Sequence, residues 1–220
     1  MKYRSVFDIV GPVMVGPSSS HTAGAVRIGQ LARRLFGEKP AKAVIRLYGS
    51  YAQTFKGHAT DVAAVAGILD VAADDPRIPQ AMDLAGEQEV DITVLAEEAV
   101  PEHPNTMTIE LSAGQHQISV TGISIGGGLV QLTRVDGFSL RLSGESPALL
   151  IFHRDVFGTI AAVTSQLARA HVNISHMEVS RMERGKVALM VIETDQRVEE
   201  GVLSLIRQLD HVRKIVTLDV

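Results

Sequence analysis

The stretch Gly16–Gly29, GPSSSHTAGAVRIG, sets three consecutive serines, a histidine and a threonine directly ahead of an amphipathic run. Ala25, Ile28, Leu31, Ala32 and Leu35 recur at helical spacing, with Arg33 and Arg34 in the last turn and Gly37 just beyond. The spacing predicts a helix that begins near Ser20. Ser18, Ser19, Ser20, His21 and Thr22 then stand at its N-terminus, where unpaired backbone N–H groups and the macrodipole favour an anion. Hydroxyls and an imidazole placed there can bind a carboxylate or phosphate and exchange a proton with it. The ordinary reading is a helix cap, and a cap needs one such side chain. Four hydroxyls around one histidine point to a site.

Outward from this stretch the chain alternates helix and strand, then turns to strands. AVIRLY, residues 43–48, is β-branched and apolar and is closed by Gly49-Ser50. GSYAQTFKGHATD follows, and Val62, Val65, Ala66 and Leu69 then predict a second helix from near Thr60, with His58, Thr60 and Asp61 at its entrance. Asp74-Asp75-Pro76 is expected to stop that helix, and Pro79 to keep the next segment irregular. From Val90 onward the rhythm is extended: DITVLAEE, TMTIELS, HQISVTGIS, LVQLTRV and FSLRLS, with turns at Ala113-Gly114 and Asp136-Gly137. Two helices and several strands predict an α+β domain over residues 1–143, and Gly144–Pro147 reads as a linker.

Residues 148–220 carry a separate pattern. ALLIFH, ISHMEVSRM, KVALMVIE and VRKIVTLDV read as strands, and two helices are marked by Ile160, Val163 and Leu167 and by Val202, Leu205, Ile206 and Leu209. The order βαββαβ is the ferredoxin-like unit. KVALMVIE is apolar on both faces, yet helices cover one face of such a sheet. Its other face is expected to pack on a second copy or on the first domain.

The opening HRDVFG and the later AHVNIS of this unit resemble the ACT domain, a small regulatory module that often binds amino acids. Asp155 and Gly158 match its D-x-x-G turn, and Asn173-Ile174 match the N-I that enters its second strand. The resemblance implies a ligand site at Asp155, Gly158, Asn173 and Ile174, formed across a paired interface. Phe157 stands where the family usually has proline, so an ACT unit that only dimerises is an equal alternative.

The N-terminal half carries a more specific match. GPSSSHTAGAVRIG, GSYAQTFKGHATD, EHPNTM and GISIGGG occur in this order ahead of the ACT unit. The set resembles the beta subunit of bacterial iron–sulfur-dependent L-serine dehydratase across essentially the whole chain. That family's N-terminal half is called an allosteric-substrate-binding-like domain. The resemblance implies a lyase that takes L-serine to 2-aminoacrylate and thence to pyruvate and ammonia. It also implies an alpha subunit that supplies a 4Fe-4S cluster, one open iron of which acts as Lewis acid on the serine hydroxyl. In this reading His21 is the candidate in this chain for proton transfer, although the base could equally belong to the alpha subunit. Ser18, Ser19, Ser20, Thr22 and Asn105 are candidates to hold the substrate. His58 and Asp61, one helical turn apart, are candidates to orient the first loop or meet the alpha subunit. Plain turn chemistry at Asn105, and a helix-terminal charge at Asp61, are the ordinary alternatives.

Composition bounds these readings. The chain has 220 residues, 45% apolar and 21% charged, which suits globular packing. It has no cysteine, so no disulfide, thiol nucleophile or thiolate-held metal centre is built from this chain. No metal site is expected here. A net charge of −4 with scattered basic residues argues against nucleic acid. No apolar run has membrane-spanning length and MKYRSVFDIVGP lacks a signal-peptide core, so a cytoplasmic location is expected. Gly126-Gly127-Gly128 lies between strands and opens no helix, unlike a dinucleotide loop. Three readings stand: a lyase beta subunit, a non-catalytic amino-acid sensor with an ACT unit, and a structural chain that dimerises and stabilises a partner. Homodimerisation through the ACT or the N-terminal domain is expected in each.

Overall fold

The computed structural model describes residues 13–219. The apolar lead-in Phe7–Val15 lies largely outside the described residues. Two compact units divide the chain after Asp136.

In the first unit a wide, π-type turn, Ser19–Ala23, runs into helix α1, Gly24–Phe36. Gly37, left-handed at φ 84°, closes α1 by donating its N–H to the Arg33 carbonyl. Strand β1 (Lys42–Gly49) is followed at once by helix α2, Ser50–His58, in the stretch read from sequence as a loop. Helix α3, Thr60–Ile68, starts after Ala59, whose φ of 52° separates it from α2. His58 therefore ends one helix while Asp61 begins another, correcting their expected place on a single helix turn. The stop also differs from the expected Asp74–Pro76. Asp70 adopts φ 59°, and the N–H groups of Asp70 and Val71 return to the Gly67 and Ala66 carbonyls, which terminates α3. Pro79 does not leave its segment irregular. It sits in the short 3-10 turn Ile78–Gln80 that leads into helix α4, Ala81–Glu87, where a proline costs no hydrogen bond.

The strands β2 (Asp91–Ala96), β3 (Asn105–Ala113), β4 (His116–Gly126) and β5 (Leu129–Val135) complete this unit. Their order is β2-β1-β3-β4-β5, with β1 parallel to β2 and antiparallel to β3. Ala43, Ile45, Leu47, Met107, Ile109, Leu111, Ile118 and Val120 are buried at alternate positions. Helices α1 and α3 contribute Ala25, Ile28, Leu31, Ala63, Ala64 and Ala66 to the same core. The helices cross with their backbones in contact. A Cβ at Gly67 would lie 2.1 Å from the Val26 carbonyl oxygen, and one at Gly29 would lie 2.5 Å from that of Ala64. Gly126, Gly127 and Gly128 have φ of 100°, 63° and 81°, so they form the bend between β4 and β5.

The second unit opens with β6 (Phe138–Leu142), a strand that the sequence reading places in the first domain. Strand β7 (Ala148–Arg154), helix α5 (Thr159–Arg169), β8 (Ile174–Arg181), β9 (Val187–Thr194), helix α6 (Glu200–Arg207) and β10 (Val212–Leu218) give the ferredoxin-like order. The antiparallel sheet runs β10-β7-β9-β8. Leu149, Ile151, Met190 and Ile192 pack with Val163, Leu167, Leu203 and Ile206 of the helices. On the other face Leu150, Leu189 and Val191 are buried as well. Strand β6 lies against β8 and β9 there, and Phe138 meets Phe152 edge-on at 5.8 Å. This face, expected to pack on a second copy or on the first domain, is partly covered by β6, a strand that the sequence reading counts in that first domain. Among the described residues no helix is long and apolar enough to cross a membrane.

Candidate functional site

The serine-rich stretch folds as its composition dictates. Ser18, in extended conformation, caps the turn: its hydroxyl accepts from the His21 N–H at 3.1 Å, and its carbonyl accepts from the Thr22 N–H at 2.8 Å. This wide first turn swings the imidazole back over the serines. The Ser20 hydroxyl is 3.1 Å from His21 Nδ1, and the Ser18 hydroxyl is 3.3 Å from Ser20 and 3.5 Å from Nδ1. Capping and site building thus coexist, with Ser18 serving both.

Helix α2 forms the opposite wall. The Ser50 hydroxyl, at the head of α2, lies 3.0 Å from His21 Nε2. The next residue, Tyr51, is buried and donates its hydroxyl to the Ser20 carbonyl at 2.7 Å. Its ring stands edge-on to the His21 ring at 5.2 Å, and burial holds its phenol well above the usual range. At the far end of α2 the His58 ring lies 4.8 Å from that of His21. Thr22 is buried and donates its hydroxyl to the His58 carbonyl at 3.1 Å, so it braces the two segments and its hydroxyl is already committed. Both nitrogens of His21 are thereby engaged by hydroxyls. Burial first, and then the neighbouring His58, lower its pKa below the ordinary imidazole value. A half-buried imidazole kept neutral between hydroxyls can accept a proton and pass it on.

The other candidate residues distribute around this centre. Asp61 is buried, with a side-chain exposure of 4%, and accepts from Lys56 Nζ at 2.9 Å. Its partner is this lysine of α2. His58 Nδ1 is buried with no hydrogen-bond partner among the described residues. Asn105 pairs in register with Gly49, which places it beside Ser50. Its side-chain amide donates to the Ser124 carbonyl at 3.4 Å, and its N–H to His103 Nδ1 at 3.2 Å. Turn chemistry and proximity to the site both hold for it. Gly24 lets β4 approach, since a Cβ there would sit 2.3 Å from the Ser124 hydroxyl. Ser50 and Tyr51 were not singled out from sequence. Their signal was the Gly-Ser pair leaving a strand into GSYAQTFKGH, a helix start rather than a strand end.

Within one copy of the second unit the four ACT candidates, expected to form a site across a paired interface, stand at opposite ends of the sheet. Ala148 pairs with Glu193 and Ile174 with Thr194, whereas Arg154 pairs with Val187 and Arg181 with Ala188. Asp155 and Gly158 hence lie at one end of the sheet, and Asn173 and Ile174 at the other. Asp155 accepts from the Gly185 N–H and from Arg181 Nη1, each at 2.9 Å, which lowers its pKa, the backbone donor contributing most. Asn173 donates to Asp195 at 2.6 Å. Among the described residues no group of three or more His, Asp or Glu side chains is arranged to hold a metal ion.

Comparison with known proteins matches a different family model in each unit. A family model described as serine dehydratase beta chain matches residues 5–85, and one described as ACT domain matches residues 148–211. A probable L-serine dehydratase beta chain of Bacillus subtilis is 50% identical over 99% of both chains. The L-serine dehydratase beta chain of Peptoniphilus asaccharolyticus is 34% identical over 92% of both. A D-3-phosphoglycerate dehydrogenase of Synechocystis is 25% identical over 98% of this chain and 39% of that protein. On its motifs, its two units and its full-length relatives, the chain belongs to the L-serine dehydratase beta-chain family.

Proposed function

We propose that this chain is the beta subunit of a heteromeric L-serine dehydratase and contributes one wall of a shared active site. The reaction removes the α-proton and the β-hydroxyl of L-serine as water, leaving 2-aminoacrylate. Tautomerisation to the imine and addition of water then release pyruvate and ammonia. The residues of this chain do not fit a 4Fe-4S cluster, because it has no cysteine. The cluster is therefore assigned to a partner alpha subunit, and no step of the cluster's chemistry is placed here. The reading also sets the complex in the cytoplasm.

What this chain supplies is binding and proton handling. The Ser19 hydroxyl and the N–H groups of the first turn donate to the carboxylate of the substrate, with Ser18 and Ser20 beside it. His21, neutral at pH 7, takes up a proton at Nδ1, the nitrogen facing Ser18 and Ser20. Asn105 stands beside Ser50, while Thr22, His58 and the Lys56–Asp61 pair hold the loop in place. One observation carries the proposal: the His21 ring is held between hydroxyls of two different helices, with its pKa lowered by burial and by His58. A helix cap requires none of this.

The test is anaerobic co-expression with a cysteine-bearing alpha chain, followed by assay of pyruvate from L-serine. Turnover should need both chains and fall about 10²- to 10⁴-fold in His21→Asn, the range for loss of a general acid–base group. Unchanged turnover in His21→Asn removes the chemical role. A second reading, an amino-acid sensor without chemistry, is favoured by one observation. The match to a D-3-phosphoglycerate dehydrogenase covers 98% of this chain but 39% of that protein. A chain that binds serine yet supports no turnover with any alpha chain would establish that reading.

A further inference from the structure

We infer that Ser50 is a positioning residue for His21: its hydroxyl holds the ring hydrogen on Nε2 and so keeps the Nδ1 lone pair toward Ser20. This inference rests on the proton-handling role proposed for His21 and names the residue that sets it up.

A neutral imidazole has one N–H and one lone pair, and the partners of one nitrogen decide the other. Nδ1 faces two hydroxyls, Ser20 at 3.1 Å and Ser18 at 3.5 Å. The Ser18 oxygen accepts from the His21 N–H, and the inferred order gives its own hydrogen to Ser20 at 3.3 Å, a distance that admits either hydroxyl as donor. Ser20 in turn gives its hydrogen to Nδ1. The ring hydrogen then sits on Nε2 and is donated to the Ser50 oxygen at 3.0 Å. The chain of donors runs in one direction, Ser18 to Ser20 to His21 to Ser50. The last hydroxyl keeps its own hydrogen for an acceptor outside the chain of donors.

Ser50 is fixed well enough to impose this. Its N–H donates to the Pro104 carbonyl at 2.8 Å, and its carbonyl accepts from the Thr54 hydroxyl at 2.8 Å. The preceding Gly49 adopts φ 57°, and a Cβ there would meet the Pro104 carbonyl oxygen at 2.6 Å. The strand-to-helix corner thus locks the oxygen against Nε2. Tyr51 grips the same loop through the Ser20 carbonyl. Two titratable rings contact the imidazole, those of Tyr51 and His58, and each meets it as a ring rather than through a hydrogen bond. Ser50 is accordingly the hydrogen-bond partner of Nε2 among the described residues. Such an outer partner fixes both the tautomer and the orientation of a working histidine.

The experiment uses the full chain labelled with ¹⁵N-histidine, with His21 signals assigned by their loss in His21→Asn. Two-bond ¹⁵N–¹H correlation separates the two tautomers. The native ring should be Nε2–H, Ser50→Ala should raise the Nδ1–H form several-fold, and Ser50→Thr should restore the native ratio. In the complex with the alpha chain, Ser50→Ala should lower kcat by about 10- to 100-fold, the loss expected from a misplaced catalytic group, with the pH profile moved. A native ring found as Nδ1–H overturns the inference without any variant. So does a tautomer ratio unchanged by Ser50→Ala, even where kcat falls. Full turnover in His21→Asn would instead remove the proposed role of His21 and leave the tautomer result standing.

Discussion

Replacing Gly67 by alanine tests whether the contact of α1 with α3 is what positions the site. The added methyl would lie 2.1 Å from the Val26 carbonyl oxygen and 2.9 Å from the Gln30 nitrogen. Both atoms belong to backbone, so no rotamer change relieves the clash, and the helices must part by more than about 1 Å to reach an ordinary 3.4 Å contact. Overpacking of this kind costs about 1–3 kcal/mol, set against about 1 kcal/mol gained when alanine replaces a helical glycine. With backbone on both sides the upper figure applies, and the net loss is about 2 kcal/mol. At about 2–4 °C per kcal/mol for a chain of this size, Tm should fall by about 4–8 °C. Gly86, inside α4, is the matched control, because a Cβ there meets nothing within 4 Å. Gly86→Ala should stabilise by about 0.5–1 kcal/mol through helix propensity alone. Thermal and urea unfolding of the two full-length variants would read both signs. A Gly67→Ala protein as stable as Gly86→Ala would refute the close crossing.

Three further outcomes are expected. The His21 pKa is lowered in the folded state, so the neutral base persists below the ordinary value of 6.5 and the acid limb of kcat/KM should lie below it. The same sign means that the contribution of His21 to stability is complete above 6.5 and is lost as pH falls through the lowered value; His58→Gln should move the limb part of the way back, since burial is the larger cause. Lys56→Met leaves the buried Asp61 carboxylate without its ion-pair partner; because the lysine is 78% exposed, the loss should be about 1 kcal/mol, read by urea unfolding. Asp155→Asn should speed hydrogen exchange at the Gly185 amide while leaving dehydratase turnover in the complex unchanged; exchange at the native rate would show that the carboxylate does not brace that turn.

The fold was legible where side-chain periodicity speaks for itself. The alternation of HQISVTGIS and FSLRLS and the 3.6-residue spacing in AVRIGQLARRL each yield their elements directly. The βαββαβ order of the second unit followed in the same way. Three features were not legible, each for a physical reason. Helix α2 is short, and one of its nine residues, Tyr51, is buried, so SYAQTFKGH carries almost no apolar stripe to read. The end of α3 depends on Asp70 adopting a left-handed backbone, which aspartate tolerates but does not announce. That the second sheet face is covered was readable from KVALMVIE, apolar on both sides, but that β6 does the covering is a long-range event with no local signal.

The site shows the same division between what is local and what is not. The serines, His21 and Thr22 were readable because they crowd five positions in a row. Their chemistry was not, because it depends on Ser50, Tyr51 and His58, which lie some 29 to 37 positions away along the chain. Helix α2 brings all three to the imidazole together: two at its head and one at its tail, on a nine-residue helix whose ends are fixed by Gly49 and Ala59. A single cap could have been built from Ser18 alone. An imidazole whose two nitrogens are each met by a hydroxyl requires a second element, and the conformations of Gly49 and Ala59 are what place that element against the first. The geometry of those two corners, more than the serine run itself, distinguishes an imidazole enclosed between hydroxyls from a solvated one.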